Sequence, residues 1–212
     1  DIRAGGADSA PTLFHKEGFY SSLEVVGQIG DLYIVCSSPN GMVLVDQHAA
    51  HERINYEKIK NAYTQAKKPE TQDLLVPETV EFSSFEASLL QGHMEDFNKL
   101  GLRVENFGDN TFIIRSVPAI FNVSGCSGLL KDIVSEIAEK GSEESLNEKL
   151  ERVISTMACH SSVRASQRLN MEKMKALLIE LDSMEFPHSC PHGRPVAREI
   201  SFYEIEKMFK RT

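Results

Sequence analysis

Alternating hydrophobic and polar positions dominate the first part of the chain. Three short β-rich runs lie between Ser22 and Asp46, and the turn-forming sequences Gly30-Asp31 and Pro39-Asn40-Gly41 separate them. This pattern predicts an antiparallel meander. From Ala49 to about Tyr63 apolar residues recur at helical spacing with charged residues between them. We therefore expect the chain to pass from strand to helix within the tetrapeptide DQHA.

The pattern changes after the tract AKKPETQD, which breaks the first helix. Beyond it, Leu75–Phe82 is expected to be extended and Phe85–Leu100 to be helical. Leu102–Val117 is expected to form two strands that turn at Gly108-Asp109-Asn110. Helical spacing returns in three later segments, which are Leu129–Lys140, Leu146–Val163 and Met171–Met184. The loop FPHSCPHGRPVA separates the last of them from the amphipathic segment SFYEIEKMFKR.

These elements predict an α+β fold in two parts. Residues 1–18 have no hydrophobic period and are interpreted as the remnant of a flexible linker. Residues 19–70 and 145–212 are expected to combine an antiparallel β-sheet with helices in one subdomain. Residues 71–144 are expected to form a smaller α/β subdomain inserted into the first.

Composition narrows the classes of protein to consider. Hydrophobic residues make up 41% of the chain and charged residues 25%, and no run of about 20 apolar residues is present, so we expect no membrane partner and a cytoplasmic location. The net charge of −8 is unfavourable for binding a phosphate backbone, so any nucleic-acid binding by the chain alone is expected to be weak. Four cysteines are too few for a disulfide framework, which leaves reduced thiols available to bind metal.

The first candidate for chemistry is the strand-to-helix junction. His48 and Glu52 are four residues apart, so one helical turn brings an imidazole and a carboxylate to the same face, beside Asp46. Such a group can bind a metal ion. The alternative has equal weight for this segment alone: Asp46 caps the helix, and His48 and Glu52 lie on a solvated face.

The second candidate is the proline-rich loop. Cys190 and His192 are two residues apart and can converge on one ion if the loop turns back; otherwise they are a buried thiol beside an exposed ring. Gly193 allows unusual backbone angles, and Arg194 can neutralise a phosphate or brace a carboxylate. Cys159, in a helical stretch, is by itself more typical of a core residue than of a ligand. Taken together, these oxygen, nitrogen and sulfur donors suit zinc, and manganese or magnesium on the carboxylate side.

At this point the motifs resemble those of a known family. DQHAAHERINYE, from Asp46 to Glu57, is similar to the pattern DQHA-x2-E-x4-E of endonucleolytic MutL proteins. Ala158-Cys159, the hexapeptide CPHGRP and the terminal Phe209-Lys210-Arg211 resemble three further motifs of that family in the same order. The likeness extends from about Phe19 to Arg211. His160 departs from it, because the family often has a basic residue there.

The resemblance implies a latent endonuclease that nicks one strand of duplex DNA during mismatch repair. Its implied metal residues are Asp46, His48, Glu52, Cys159, Cys190 and His192, with the first three also catalytic and with Glu57 and Arg194 in supporting roles. Zn²⁺ is implied in a structural or regulatory role and Mn²⁺ or Mg²⁺ in catalysis. The strand-rich part is implied to form a homodimer, and residues 71–144 an external regulatory subdomain. Implied partners are duplex DNA, the mismatch-recognition protein MutS and a MutL ATPase domain, in the nucleoid-associated cytoplasm.

A further segment resembles the short peptide by which bacterial repair proteins dock on the sliding clamp. In it, Gln72 offers hydrogen bonds, Leu74 and Leu75 offer apolar side chains, and Pro77 keeps the chain extended. The alternative is an edge strand with buried leucines.

Two rival functions remain at this stage. One is a non-catalytic dimerisation and clamp-binding module in which a structural zinc holds Cys190 and His192 to the helix. The other is a metallohydrolase acting on a small molecule or peptide, which requires a deep apolar substrate pocket.

Overall fold

A computed structural model describes residues 18–65, 69–121, 125–139, 146–161 and 168–211. Apart from Gly18, the predicted linker remnant lies outside the described residues. The α+β prediction is confirmed. In chain order, the elements of the described residues are β1 (Glu24–Ile29), β2 (Tyr33–Ser38), β3 (Gly41–Asp46), α1 (Gln47–Thr64), β4 (Thr71–Glu81), α2 (Ser84–Gly92), α3 (Met94–Lys99), β5 (Arg103–Gly108), β6 (Thr111–Pro118), α4 (Cys126–Glu139), α5 (Leu146–Ser161), α6 (Met171–Asp182), β7 (Ala197–Ser201) and α7 (Phe202–Met208).

The first sheet has the strand order β1-β2-β3-β7, and every neighbouring pair is antiparallel. The predicted meander is thus confirmed, and β7 adds a fourth strand from the end of the chain. Alternate residues of β2 and β3, such as Ile34 and Val43, point into a core that α1 and α6 cover. The residues between them, Val35 and Leu44, lie opposite each other on the outward face and are half-buried.

The second sheet has the order β4-β6-β5, again antiparallel. Its core includes Leu90, Phe97, Ile114 and Leu130 from the sheet and from α2, α3 and α4. The predicted helix Phe85–Leu100 is two helices, because the chain breaks at His93 between α2 and α3. The predicted hairpin is confirmed.

Helix α1 links the two cores. The first half of α1 packs in the core of the first sheet, whereas Ile59 near its end belongs to the core of the second sheet. Helix α5 also contributes Val153, Ile154 and Met157 to the second core, although its sequence position assigned it to the first subdomain. The subdomain boundaries therefore remain a prediction. In the described residues, no helix combines the length and the apolar composition needed to cross a membrane.

Candidate metal centre

Asp46 starts helix α1 and thereby orients the motif that follows it. Its Oδ1 accepts hydrogen bonds from the backbone amides of His48 at 2.9 Å and Ala49 at 3.0 Å. These bonds satisfy two amides that have no partner inside the helix, so Asp46 is the N-cap of α1. The capping interpretation of Asp46 is thus confirmed, while Oδ2 is not part of this cap.

Glu52 is the centre of the candidate site, and its carboxylate has no exposed surface. His48, one turn earlier, has its Nε2 3.0 Å from Glu52 Oε1. Nη2 of Arg194 donates to both carboxylate oxygens at 2.8 Å. The alternative of Glu52 on a solvated helix face is therefore wrong.

Several cations and donors converge on this carboxylate. Burial alone raises the pKa of Glu52, but the Cys190 hydrogen bond and the charges of His48, Arg194 and His192 outweigh it and hold the pKa below its usual value. Glu52 is therefore an ionised group buried in the protein. Buried charges require a partner, which here is a cation.

Cys190 and His192 reach the same carboxylate from the proline-rich loop. One ligand atom from each of Glu52, Cys190 and His192 lies within 4.8 Å of the other two. Cys190 is buried and His192 is exposed, so the group is open to solvent on the imidazole side. Carboxylate oxygen, thiolate sulfur and imidazole nitrogen are the three donor types that zinc accepts. The donor set fits a transition-metal ion.

The loop is a tight turn that directs these two side chains to one side. The Cys190 amide donates to the Arg194 carbonyl at 2.8 Å, and the Gly193 amide donates to the Cys190 carbonyl at 2.9 Å. Gly193 has a φ of 80°, a left-handed conformation that glycine adopts without steric cost. The turn explains why ligands two residues apart converge.

Cys159, from α5, also contacts the central carboxylate. Burial raises the pKa of its thiol, and the Glu52 charge and a hydrogen bond to Glu52 raise it further. Cys159 therefore lies beside Glu52, although it is outside the three-residue group defined by the 4.8 Å separations. Asp46 and His48 are also outside that group. Of the other five predicted metal residues, His48, Cys190 and His192 each have a ligand atom within 4.8 Å of a Glu52 carboxylate oxygen, and Cys159 is joined to Glu52 by its hydrogen bond.

Glu57 does not reach this centre. Its Oε1 pairs with Arg53 Nη1 at 3.0 Å, and both side chains are nearly buried. Arg53 in turn donates through Nε to the carbonyl of Ser189 at 2.6 Å. The supporting role of Glu57 stays a prediction, and Arg53 is the residue that connects Glu57 to the proline-rich loop. Sequence reasoning missed Arg53, for which the signal was a charged residue directly after Glu52 in the motif.

His160 faces away from the centre. Its Nε2 lies 2.8 Å from Asp132 Oδ2, so the imidazole pairs with a carboxylate of α4.

The segment proposed for clamp docking lies on β4, and its residues have different environments. The Gln72 side-chain amide donates to the carbonyl of Phe121, and Leu74 is buried in the second core. Leu75 is fully exposed and Val76 is 79% exposed, while Pro77 is half-buried. The apolar surface available to a partner is therefore that of Leu75 and Val76.

Comparisons with known proteins agree with the motifs. A model of the family described as the MutL C terminal dimerisation domain matches residues 26–169. The chain is 40% identical over 205 residues to the DNA mismatch repair protein MutL of Geotalea daltonii, covering 97% of this chain and 34% of that protein. It is 38% identical over 194 residues to the protein of the same name from Geobacter sulfurreducens, covering 92% and 32%.

The chain therefore belongs to the MutL C-terminal dimerisation domain family. It spans about a third of the length of the curated relatives it matches. The family predicted from the motifs is thus confirmed. The matched range of the family model includes Glu52 and Cys159 but ends before Cys190 and His192, which the longer alignments to the relatives cover.

Proposed function

We propose that this chain is the metal-dependent nicking-endonuclease part of a MutL DNA mismatch repair protein. One observation carries the proposal: Cys190 and His192, from a loop far along the chain from Glu52, each place a ligand atom within 4.8 Å of its buried carboxylate. We assign metal binding to these residues together with His48, Cys159 and Asp46. When bound, zinc, manganese or magnesium would supply a Lewis acid for hydrolysis of a phosphodiester.

The side chains around Glu52 have separate roles in this proposal. The Cys190 hydrogen bond and the charges of His48, Arg194 and His192 together hold the pKa of Glu52 below its usual value, which keeps the carboxylate in the form that binds a cation. We assign the catalytic role to Asp46, His48 and Glu52, which would hold the ion and orient the attacking water. Thiolates favour zinc and carboxylates favour manganese or magnesium, so a structural or regulatory Zn²⁺ and a catalytic Mn²⁺ or Mg²⁺ are both compatible with this donor set.

The test is nicking of supercoiled plasmid with Mn²⁺. The net charge of −8 predicts weak activity of the isolated chain, so the assay includes a form tethered to the clamp. Asp46→Asn is expected to abolish nicking, and Asp109→Asn, at the exposed turn between β5 and β6, is expected to have no effect. Full activity of Asp46→Asn would overturn the catalytic assignment.

The non-catalytic alternative keeps the metal without turnover. It predicts that Cys190→Ser and His192→Ala unfold the chain and that wild type does not nick under any metal or clamp condition.

The alternative of a hydrolase acting on a small molecule or peptide has less support. A cavity of about 330 Å³ lies between α1, α3 and the ends of β4 and β6, but none of the six metal residues lines it.

We also propose a homodimer formed through the outward face of the first sheet. Val35, Met42, Leu44 and Ile200 are paired neighbours on that face and are half-buried. A second copy of the chain would remove their remaining apolar surface from water. Light scattering is expected to give a dimer for wild type and a monomer for Val35→Asp, whereas Phe85→Asp, at an exposed position of α2, remains dimeric. A dimeric Val35→Asp would exclude this face.

Docking on the sliding clamp is proposed through Leu75 and Val76. Leu75 and Val76 are exposed neighbours on a strand, which suits a pocket that binds an extended peptide. For Gln72 to contact the clamp as well, its side-chain amide would have to release the Phe121 carbonyl. Leu75→Ala is expected to weaken binding to a bacterial clamp in calorimetry at least about tenfold. Phe107→Ala, at an exposed position of β5, is the control, and equal affinity of both variants would contradict the docking site.

We also propose that the whole protein, of which this chain is a part, has an ATPase domain and acts with MutS.

A further inference from the structure

The loop that carries Cys190 and His192 is attached to the rest of the chain by two side chains that bind no metal. Tyr20 donates its hydroxyl to the carbonyl of Pro187 at 2.8 Å, and Arg53 donates its Nε to the carbonyl of Ser189 at 2.6 Å. The two acceptors are two residues apart on the same arm of the loop. The second acceptor directly precedes Cys190.

We infer that Tyr20 and Arg53 are positioning residues that hold Cys190 and His192 at the correct distance from Glu52. The inference rests on the proposed metal site and assigns it two residues that the family motifs described above do not specify. Both residues act on the position of the loop, because their hydrogen bonds go to the Pro187 and Ser189 carbonyls and not to Glu52, Cys190 or His192.

Arg53 is a rigid donor because three groups fix its guanidinium. Nη1 pairs with Glu57, Nε binds the Ser189 carbonyl, and the ring of Tyr56 lies 5.2 Å from Cζ. A planar guanidinium can serve the carboxylate and the carbonyl at the same time, whereas a lysine ammonium is a point donor on a flexible stem. Glu57 thus acts on the loop through Arg53.

The position of Arg53 in the chain explains why this contact controls the metal ligands. Arg53 follows Glu52 directly on α1, so one rigid helix carries both the central carboxylate and the anchor of the loop. The distance between Glu52 and Cys190 is therefore fixed by one hydrogen bond between their chain neighbours, from Arg53 to the Ser189 carbonyl. A small shift of that carbonyl would move the Cys190 sulfur relative to Glu52.

Tyr20 holds the start of the same arm. It is buried, with 1% of its surface exposed. Asp182, the last residue of α6, accepts the amides of Tyr20 at 2.9 Å and Ser21 at 2.6 Å. The segment from the end of α6 to Pro187 is thus attached to Tyr20 at both ends, which limits the paths it can take to Cys190.

Cobalt binding tests the inference, because Co²⁺ bound to thiolate and imidazole has visible absorption that reports its ligands. Tyr20→Phe, Arg53→Lys and Glu57→Gln are compared with Tyr203→Phe and Arg103→Lys, which alter exposed residues. We expect the first two variants to unfold cooperatively, as wild type does, but to bind Co²⁺ about tenfold or more weakly with altered bands. Glu57→Gln is expected to have a smaller effect. Wild-type affinity and spectrum in both Tyr20→Phe and Arg53→Lys would overturn the inference.

Hydrogen exchange separates this inference from the proposed function. If wild type shows no cobalt–thiolate absorption, the metal proposal fails, and exchange at the amides of Cys190 and Gly193 then decides the positioning roles. Faster exchange at these amides in Tyr20→Phe and Arg53→Lys, with unchanged exchange in β2 and β3, supports the roles. Unchanged exchange at Cys190 and Gly193 in both variants overturns them. If Arg53→Lys does not fold, Tyr20→Phe alone supplies both readouts.

Discussion

The side-chain amide of Gln28 in β1 lies 2.5 Å from the side-chain oxygen of Gln47, the first residue of α1. Gln47 is completely buried, and the oxygen of Gln28 accepts the backbone amide of Leu169 at 2.8 Å. One polar side chain of an edge strand thus connects the start of the motif helix to the segment that precedes α6. The second residue of DQHA has a structural role in this contact.

Replacing Gln47 is therefore expected to destabilise the fold. Gln47→Ala removes a completely buried side chain together with its hydrogen bond to the half-buried Gln28, which is expected to cost about 1–3 kcal/mol of the free energy of unfolding. Urea denaturation measures the change, with Gln91→Ala, an exposed position of α2, as the control. A cost no larger than that of the control would mean that the contact contributes nothing.

The two roles of Asp46 can be separated by substitution. Asp46→Asn keeps a side-chain oxygen that can accept the amides of His48 and Ala49, so the free energy of unfolding is expected to stay within about 0.5 kcal/mol of wild type. Asp46→Ala removes the cap and is expected to cost about 1 kcal/mol. Thermal or urea unfolding checks both values. Equal destabilisation by both substitutions would show that charge, and not capping, dominates.

Local sequence patterns predicted most of the elements but not β7. The meander, the hairpin at Gly108-Asp109-Asn110 and four helices follow from alternation, helical spacing and turn residues, which act over a few neighbouring positions. Strand β7 has the polar residues Arg198 and Glu199 and exists because it pairs with β3. Pairing across more than 150 residues is a tertiary effect that local spacing does not contain.

Adjacent leucines of β4 are expected to respond differently to truncation. Leu74 is buried in the second core, with 8% of its surface exposed, so Leu74→Ala leaves a cavity and is expected to cost about 2–5 kcal/mol. Leu75 is fully exposed, and Leu75→Ala is expected to change stability by less than about 0.5 kcal/mol. Denaturation of the two variants side by side measures the difference. Similar costs would mean that β4 has another register in solution.

Gly41 is required where β3 begins beside β7. A Cβ at this position would lie 2.2 Å from the Ile200 carbonyl oxygen, so the two strands must separate to admit it. Gly41→Ala is expected to cost about 1–3 kcal/mol, measured by urea denaturation. Gly27→Ala is the matched control, because no atom lies within 4 Å of its Cβ. A harmless Gly41→Ala would contradict the close pairing of β7 with β3.

The motifs predicted which side chains lie close to Glu52 better than they predicted the contacts that hold those side chains. Spacing indicated that His48 and Glu52 share a helical face, and their 3.0 Å contact confirms it. The sequence analysis expected Arg194 to neutralise a phosphate or brace a carboxylate, and it braces one. The spacing did not indicate that this carboxylate would be Glu52, or that Tyr20 would reach Pro187. Such contacts depend on how separate elements pack, which residue types and intervals alone do not determine.

The thiol of Cys36 is expected to be unreactive in the folded chain. Burial raises the pKa of Cys36 from 9.0 to about 11, and only the thiolate reacts with an alkylating reagent. At pH 8, iodoacetamide is therefore expected to label Cys36 about 100-fold more slowly in the native protein than in urea, with mass spectrometry as the measurement. Cys159 serves as the internal comparison: its pKa is also raised, but its thiol is partly exposed, so it is expected to react before Cys36.

The same raised pKa of Cys36 predicts how stability changes at alkaline pH. The folded chain keeps the proton that the unfolded chain releases near pH 9.0, so the contribution is complete below that pH and is lost as the pH rises through about 11. Burial, aided by the Glu78 charge, raises the pKa of Cys126 to about 11 as well, so both thiols act in the same direction. The urea midpoint is expected to fall between these pH values, and less steeply in Cys36→Ala. An equal slope in Cys36→Ala would mean that other groups cause the alkaline loss, because this variant has no thiol to ionise at that position.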